Sequence, residues 1–224
     1  VIIDIEVDFG QGLPHMAIVG LPDEAVKESR ERVYSAIKNA NLAYPRKPIT
    51  VNLAPASVRK EGPSFDLPIA VGVLIAGEQI TQEEIEGALV VGELSLDGSV
   101  RHVRGVLAIA ATARQEGFKR LYVPAADAAE AALIPDLEVI PIGSLAELYA
   151  HLTGEQPILP AQTIPVALSD PPMAQTDFSE IKGQEHVKRA LEVAAAGGHN
   201  VLMSGPPGAG KTLLARAITS ILPP

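Results

Sequence analysis

The chain has 224 residues, of which 47% are hydrophobic and 20% are charged, as is typical of a soluble globular protein with one or two domains. It contains no cysteine, which excludes disulfides, thiolate catalysis and cysteine-based zinc sites. The formal net charge is −9, and acidic residues outnumber basic ones both in residues 1–153 (21 to 13) and in residues 154–224 (6 to 5). Neither part has the strongly basic balance that marks an extended nucleic-acid-binding surface.

The N-terminal residues predict neither a signal peptide nor a membrane anchor. They read VIIDIEVDFG, with no basic n-region and no small-residue cleavage site. No apolar run in the chain approaches the ~18 residues of a membrane span. Because a chain without cysteine is also compatible with a reducing cytosol, we expect a cytoplasmic location. The first residue is not methionine, and we interpret both ends as cut from a longer protein.

Residues 1–153 alternate between strand and helix patterns. Strands are predicted over residues 1–8, 15–20, 48–54, 120–124 and 137–142. Helices are predicted over residues 21–41, 65–79, 104–117, 126–133 and 144–152. In the alternating run 88–103, the dipeptide Asp97-Gly98 predicts a two-residue hairpin turn in which both positions need a positive φ. This order of elements predicts a two-layer α/β (α+β) domain with a mixed sheet.

Polar residues in this part are interpreted mainly as solvated surface. Glu28 and Arg32 lie four residues apart on the predicted helix 21–41, which predicts an exposed ion pair. Basic residues flank the strand 48–54 and follow the hairpin, namely Arg46, Lys47, Arg59, Lys60, Arg101, His102 and Arg104. Solvated loop charge is the first interpretation of these residues, and contact with DNA phosphates or with a neighbouring subunit is the alternative.

Residues 154–176 differ in composition from the parts on either side. They contain five prolines, at Pro157, Pro160, Pro165, Pro171 and Pro172. Proline at this density favours an extended, semi-rigid connector, so we predict a linker and a domain boundary here. The residues from 177 onward predict a helix, a short strand at 200–204, a glycine-rich loop and a second helix.

The glycine-rich loop GPPGAGKT, residues 205–212, matches the phosphate-binding pattern G-x-x-x-x-G-K-[ST]. Its backbone N–H groups converge on an anion only if Gly208 and Gly210 supply the necessary conformational freedom. Lys211 is expected to reach the β- and γ-phosphates of ATP, and the Thr212 hydroxyl to ligate the Mg²⁺ that the nucleotide carries. The predicted ATP-binding residues are Gly205, Pro206, Pro207, Gly208, Ala209, Gly210, Lys211 and Thr212.

Long motifs in both parts resemble one protein family. The segment DFSEIKGQEHVKRALEVAAAGGHNVLMSGPPGAGKT resembles the opening of the AAA+ module in Mg-chelatase-like ATPases of the ComM/YifB type. The segments GLPDEAVKESRERV, TVNLAPASVRKEGPSFDLPIA and VGELSLDGSVRHVRGVL resemble the N-terminal domain of that family. The resemblance implies a Lon-protease-like domain over 1–153, a proline-rich linker over 154–176 and a truncated P-loop NTPase (AAA+) segment with the Walker A loop over 177–224. It also implies that Ile181–Gln184 lies near the adenine of bound ATP.

The same resemblance raises the question of peptidase activity. In the Lon protease domain, a Gly-Pro-Ser element carries the nucleophile of a Ser-Lys dyad, and Ser64 occupies the place of that serine. Aligning GELSLDGSVRHVRGVLAIAATARQEGFK with the corresponding Lon stretch puts the position of the dyad lysine at Leu107, and leucine cannot accept a proton. The resemblance therefore implies a domain that is not a peptidase, and Ser64 is interpreted as a turn or N-cap residue before the helix 65–79.

The resemblance implies a hexameric, ATP- and Mg²⁺-dependent DNA helicase or branch-migration motor in recombination or natural transformation. Two alternatives stay open: a chelatase-type motor that remodels a protein partner for metal insertion, and a non-catalytic Lon-like interaction domain. In AAA+ motors the Walker B pair, the sensor residues, the arginine finger and the lid helices would lie beyond Pro224. We expect residues 177–224 alone to bind ATP weakly or not at all, because a lone strand and a helix of about twelve residues are marginal in water.

Overall fold

The computed structural model describes residues 1–162 and 176–222. The chain divides into two compact units, Val1–Ile164 and Pro165–Pro224. The first residues of the predicted linker 154–176 therefore belong to the first unit, while its residues 163–175 lie outside the described part. Within the described ranges, no helix is both long and apolar enough to cross a bilayer.

The elements follow the predicted alternation closely. The strands are β1 Asp4–Phe9, β2 Met16–Val19, β3 Ile49–Ala54, β4 Ala88–Val90, β5 Glu93–Leu94, β6 Val100–Arg101, β7 Arg120–Pro124 and β8 Glu138–Ile142. The helices are α1 Glu24–Lys27, α2 Ser29–Asn39, α3 Asp66–Ala76, α4 Val106–Gln115, α5 Ala128–Ala131, α6 Leu145–Leu152, α7 Glu185–Gly197 and α8 Lys211–Ala217. Short 3₁₀ turns precede α3, β4 and α5 at Pro63–Phe65, Glu83–Ile85 and Ala125–Asp127.

The strands of the first unit form three small sheets. In the first, β3 pairs antiparallel with β1 and parallel with β2. In the second, β7 lies between β4 and β8, and all three strands are parallel. The third is the hairpin of β5 and β6. The predicted α/β class is confirmed. The prediction of a single mixed sheet is wrong, because the strands of the first unit divide among three sheets, of which only the first mixes strand directions.

Helix α3 is the centre of the larger core of the first unit, because nearly all of its residues are apolar. Its buried apolar residues are Leu67, Ile69, Ala70, Val71, Val73 and Leu74. The helix lies close against β1: a Cβ built on Gly72 would come within 2.7 Å of Val7 Cγ2. Glycine at this position therefore allows an approach that a larger side chain would prevent.

A buried polar network joins α2, α3 and β5. The predicted pair of Glu28 and Arg32 is present at 3.6 Å, but the Arg32 side chain is only 19% exposed. Its Nε donates to Asp66 Oδ2 at 2.6 Å. The fully buried Asp66 carboxylate also accepts from the Ser29 hydroxyl and, at 3.2 Å, from Leu94 N–H. The interpretation of Arg32 as a solvated charge is therefore wrong, because the partner that buries it comes from a distant helix.

The hairpin between β5 and β6 also differs from its prediction. Ser95 N–H donates to Ser99 C=O at 2.9 Å, which encloses three loop residues rather than two. Among these residues only Gly98 has a positive φ, 88°. Asp97 instead accepts from Ser99 N–H at 3.0 Å through its carboxylate, so its side chain stabilises the turn without a left-handed backbone.

The second unit has a small core of its own, formed by Phe178, Ile181, Leu191, Leu214 and Ala217. The predicted strand at 200–204 is wrong: residues 201–206 have no regular structure, and the Leu202 side chain is 95% exposed. An extended segment becomes a strand only when a neighbouring strand pairs with its N–H and C=O groups. The described part of the second unit, residues 176–222, offers no such neighbour.

Candidate functional site

The glycine-rich loop of the second unit has the backbone conformation that its motif predicts. Gly208 and Gly210 have φ values of 81° and 79°, in the left-handed region that a side chain would strain. A Cβ at either position would meet nothing within 4 Å, so the space beside both glycines is open. Helix α8 begins directly after Gly210, and Leu214 N–H donates to the Gly210 carbonyl at 3.0 Å.

The ammonium group of Lys211 lies over the first residues of this loop. Its Nζ donates to the carbonyl oxygens of Gly205 and Pro206, at 2.8 Å each. Both acceptors are exposed backbone carbonyls of the same loop. The positive charge of Lys211 therefore lies beside the first residues of the loop, and neither of these contacts is with a carboxylate. Thr212 follows in the first turn of α8 and is exposed. The predicted ATP site needs the ammonium of Lys211, the hydroxyl of Thr212 and the two glycines close together. All of them lie within residues 208–212.

Gln184 provides a contact that sequence reasoning did not identify. Its side-chain Nε2 donates to the Ala209 carbonyl at 3.5 Å, and its own backbone has a positive φ of 60° just before α7. Ile181, in the same predicted adenine segment, packs into the small core with Leu214 of α8. Gln184 therefore contacts the loop, and Ile181 contacts α8, although both residues precede the loop by more than twenty positions.

Family comparisons agree with both parts of the chain. The profile of the family described as subunit ChlI of Mg-chelatase matches residues 5–127. A second profile, described as magnesium chelatase, subunit ChlI, matches residues 177–224. The chain belongs to the Mg-chelatase-like ComM/YifB family. The glycine-rich loop, residues 205–212, falls inside the second matched range.

Two relatives cover nearly the whole chain of this ComM/YifB family member. An uncharacterized protein YifB from Salmonella typhimurium is 45% identical over 223 residues, which cover 99% of this chain and 43% of that protein. The competence protein ComM from Haemophilus influenzae is 43% identical over 225 residues, 99% of this chain and 44% of that protein. The chain thus spans less than half the length of these relatives. A Lon protease from Aster yellows witches'-broom phytoplasma is 25% identical over 165 residues, 67% of this chain and 20% of the protease.

Ser64 occupies the place of the catalytic serine in the resemblance to Lon, and it lies in the 3₁₀ turn Pro63–Phe65. Of the two roles predicted for Ser64, the turn role is confirmed by its place in this 3₁₀ turn. The N-cap role is wrong, because Gly62 precedes the turn, Phe65 precedes α3, and neither start has a side-chain cap. Ser64 contributes its carbonyl instead, which accepts from Gly92 N–H at 3.1 Å. In the described residues, no hydrogen bond joins its hydroxyl to a lysine or histidine, and the ammonium of Lys60 donates to Pro55 C=O.

We expect Ser64 to resist acylation by a serine-directed fluorophosphonate, because no lysine or histidine of the described residues is hydrogen-bonded to its hydroxyl to remove the proton. The residue borders an open cavity of about 690 Å³, so the reagent has access and a negative result would reflect reactivity. Mass spectrometry after incubation measures the label, with Ser64→Ala as the matched control. Stoichiometric modification at Ser64 that is absent in the alanine variant would show that this ComM/YifB family domain has an activated nucleophile.

The basic residues near β3 divide into exposed and buried groups. Arg46 and Lys47 are exposed, and Arg59 pairs with Glu61 at 3.3 Å on the surface, in line with their interpretation as loop charge. Lys60 is only 1% exposed, so its interpretation as solvated charge is wrong. Its ammonium is held instead by a backbone carbonyl of the loop that follows β3.

His102 has a partner that its local sequence does not indicate. Its Nδ1 contacts a carboxylate oxygen of Asp127, a residue that is 3% exposed and lies 25 positions later. The other oxygen of Asp127 accepts from Val103 N–H at 2.9 Å. This carboxylate fixes both the imidazole and the backbone before α4, while the imidazole itself stays 62% exposed. Arg101 and Arg104, on either side, are exposed as predicted.

Proposed function

We propose that the full-length protein is an ATP-driven AAA+ motor that binds Mg·ATP through Gly205–Thr212. The observation that carries the proposal is the loop itself, with left-handed Gly208 and Gly210, open space beside them and an ammonium at the mouth. When bound, Mg·ATP supplies the hydrolysable phosphoanhydride bond. This chain supplies backbone N–H groups for the phosphates, the Lys211 cation for the γ-phosphate and the Thr212 hydroxyl for Mg²⁺.

Residues just before α7 also contact this loop and α8. Gln184 donates from its side-chain Nε2 to the Ala209 carbonyl at 3.5 Å, which ties the residue before α7 to the glycine-rich loop. Ile181–Gln184 is proposed to border the adenine. For the full-length protein we also propose a homo-hexameric assembly. The same proposal gives it a Walker B pair, sensor residues and an arginine finger.

We further propose that this motor acts on DNA, as a helicase or branch-migration enzyme in recombination or natural transformation. The name of one relative, a competence protein, supports this choice. A chelatase-type motor that remodels a protein partner for metal insertion is the second candidate, favoured by the description of the matching profiles. The first unit, proposed to be Lon-like and non-proteolytic, would then serve as an interaction domain.

DNA is expected to stimulate ATP hydrolysis by the full-length protein several-fold, because a motor completes its cycle faster on its own substrate. Phosphate release is measured with forked duplex DNA, with linear duplex and without DNA, and a Lys211→Ala protein corrects for contaminating ATPases. Stimulation should fall as salt is raised, since binding to phosphates releases counterions. Robust ATPase activity that no DNA changes, under the same conditions, would favour the protein-remodelling motor instead.

A further inference from the structure

The segment that follows α6, residues 156–162, lies along the first unit and is called here the docked segment. Three backbone N–H groups anchor it. Gln156 N–H donates to Ala150 C=O at 2.9 Å, and Ala161 N–H donates to Val139 C=O at 2.8 Å. Between them, Ile158 N–H donates to a side chain, the Nδ1 of His151, at 2.9 Å. The docked segment is also the beginning of the predicted linker.

The bond from Ile158 determines the protonation state of His151. An imidazole nitrogen accepts a hydrogen bond only when it carries no proton, so Nδ1 is bare while the segment is docked. Neutral imidazole then has its single N–H on Nε2, which faces the Tyr122 hydroxyl at 3.5 Å. A protonated imidazole would place an N–H on Nδ1 directly opposite the Ile158 N–H. The cation and the docked geometry therefore exclude each other.

The groups around the imidazole favour the neutral form. His151 borders a cavity of about 220 Å³ together with Glu84, Arg120, Tyr122 and Glu138. Arg120 donates to the Tyr122 hydroxyl at 3.3 Å and pairs with Glu138 at 3.1 Å. Burial lowers the pKa of His151 below its usual value of 6.5, and the nearby Arg120 lowers it further, while Glu138 partly opposes both.

We propose that His151 is a pH-sensitive latch for the docked segment. The neutral imidazole holds Ile158, and protonation removes that anchor while the contacts at Gln156 and Ala161, which do not titrate, stay as they are. The Ile158 side chain packs against the larger core of the first unit, so losing the anchor also loosens an apolar contact.

The sign of the effect follows from the lowered pKa. The ordinary pKa of histidine is 6.5. Well above that pH the imidazole is neutral whether the Ile158 contact is formed or broken, so the contact has its full strength. Below that pH the imidazole binds a proton when the Ile158 contact is broken, and the equilibrium for forming the contact falls by about tenfold per pH unit. Acid therefore weakens the latch, and neutral or alkaline pH closes it.

Amide hydrogen exchange, resolved by residue in the 224-residue protein between pH 5 and 8, tests the latch. The protection factor of Ile158 is compared with that of Thr153, whose N–H donates to Tyr149 C=O at the end of α6. We expect Ile158 protection to fall at low pH in the wild type while Thr153 protection stays constant. In His151→Asn, whose amide oxygen accepts the same bond but does not titrate, protection should not depend on pH. In His151→Leu it should be low throughout.

The matched control is His102→Asn, which changes an exposed histidine of the same unit and should leave the wild-type profile of Ile158 intact. Imidazole ¹⁵N shifts of His151 give a readout that needs no variant: above pH 7 they should report a bare Nδ1 and a protonated Nε2. The opposite tautomer would overturn the proposal. So would Ile158 protection that is the same at pH 5 and pH 8, or that falls equally in His151→Asn.

Discussion

Lys211→Ala is expected to reduce ATP hydrolysis by the full-length protein to background, a loss of at least about 100-fold, as for the removal of a group that stabilises transition-state charge. Lys211 is the only positively charged side chain in the loop sequence 205–212, so it is the group proposed to reach the γ-phosphate. Its ammonium already lies at the mouth of the loop, on the carbonyls of Gly205 and Pro206, and needs only to exchange two weak acceptors for phosphate oxygens. Steady-state phosphate release measures the effect.

Arg216→Ala is the matched control, because Arg216 is an exposed cation one and a half turns further along α8 and makes no contact with the loop through its side chain in the described residues. Its ATPase rate should stay within about twofold of the wild type. Hydrolysis by Lys211→Ala at the wild-type rate would contradict the assignment of the loop. Loss of activity in both variants would point to damage of α8 rather than to loss of phosphate contact.

Features that depend on neighbouring residues were predictable. The 3.6-residue period places Val26, Val33, Ile37 and Ala40 on one face of the helix predicted over 21–41. The first three are fully buried, and Ala40 is partly buried. The helix predicted over 104–117 ends as Gly117 indicates, with a left-handed φ of 86° just after α4. The backbone of the glycine-rich loop was also predictable, because Gly208 and Gly210 both adopt the positive φ that glycine permits.

Features that depend on distant partners were not predictable. Ser29 and Asp66 are 37 positions apart, and His102 and Asp127 are 25 apart, so neither pair leaves a local pattern. Lys60 is predicted to lie on the surface because charged residues are rarely buried. In the structure it is buried, and its ammonium donates a hydrogen bond to the carbonyl of Pro55. The apolar run at 200–204 has the composition of a strand, but composition does not supply the neighbouring strand that pairing needs.

The largest effect on folding is expected from Asp66→Ala, which should lower the free energy of unfolding of the first unit by about 3–5 kcal/mol. The change removes the acceptor of four donors at once: two from Arg32, one from the Ser29 hydroxyl and one from Leu94 N–H. The hydrogen bond to Asp66 also raises the pKa of Arg32, which would stay charged and lose this buried counter-ion. Because the Arg32 side chain keeps 19% exposure, water relieves part of the cost, and the lower end of the range is expected.

Glu28→Ala is the control, because it removes the exposed carboxylate that pairs with Arg32 and leaves the buried carboxylate of Asp66 in place. It therefore separates the effect of the buried acceptor from the effect of net charge. Glu28 lies at 3.6 Å but is 72% exposed, so its loss should cost less than about 0.5 kcal/mol. Urea unfolding followed by tyrosine fluorescence reports the first unit alone, since all four tyrosines lie within residues 34–149. Equal destabilisation by the two variants would mean that the network acts through net charge. A loss confined to Asp66→Ala would show that the buried acceptor holds α2, α3 and β5 together.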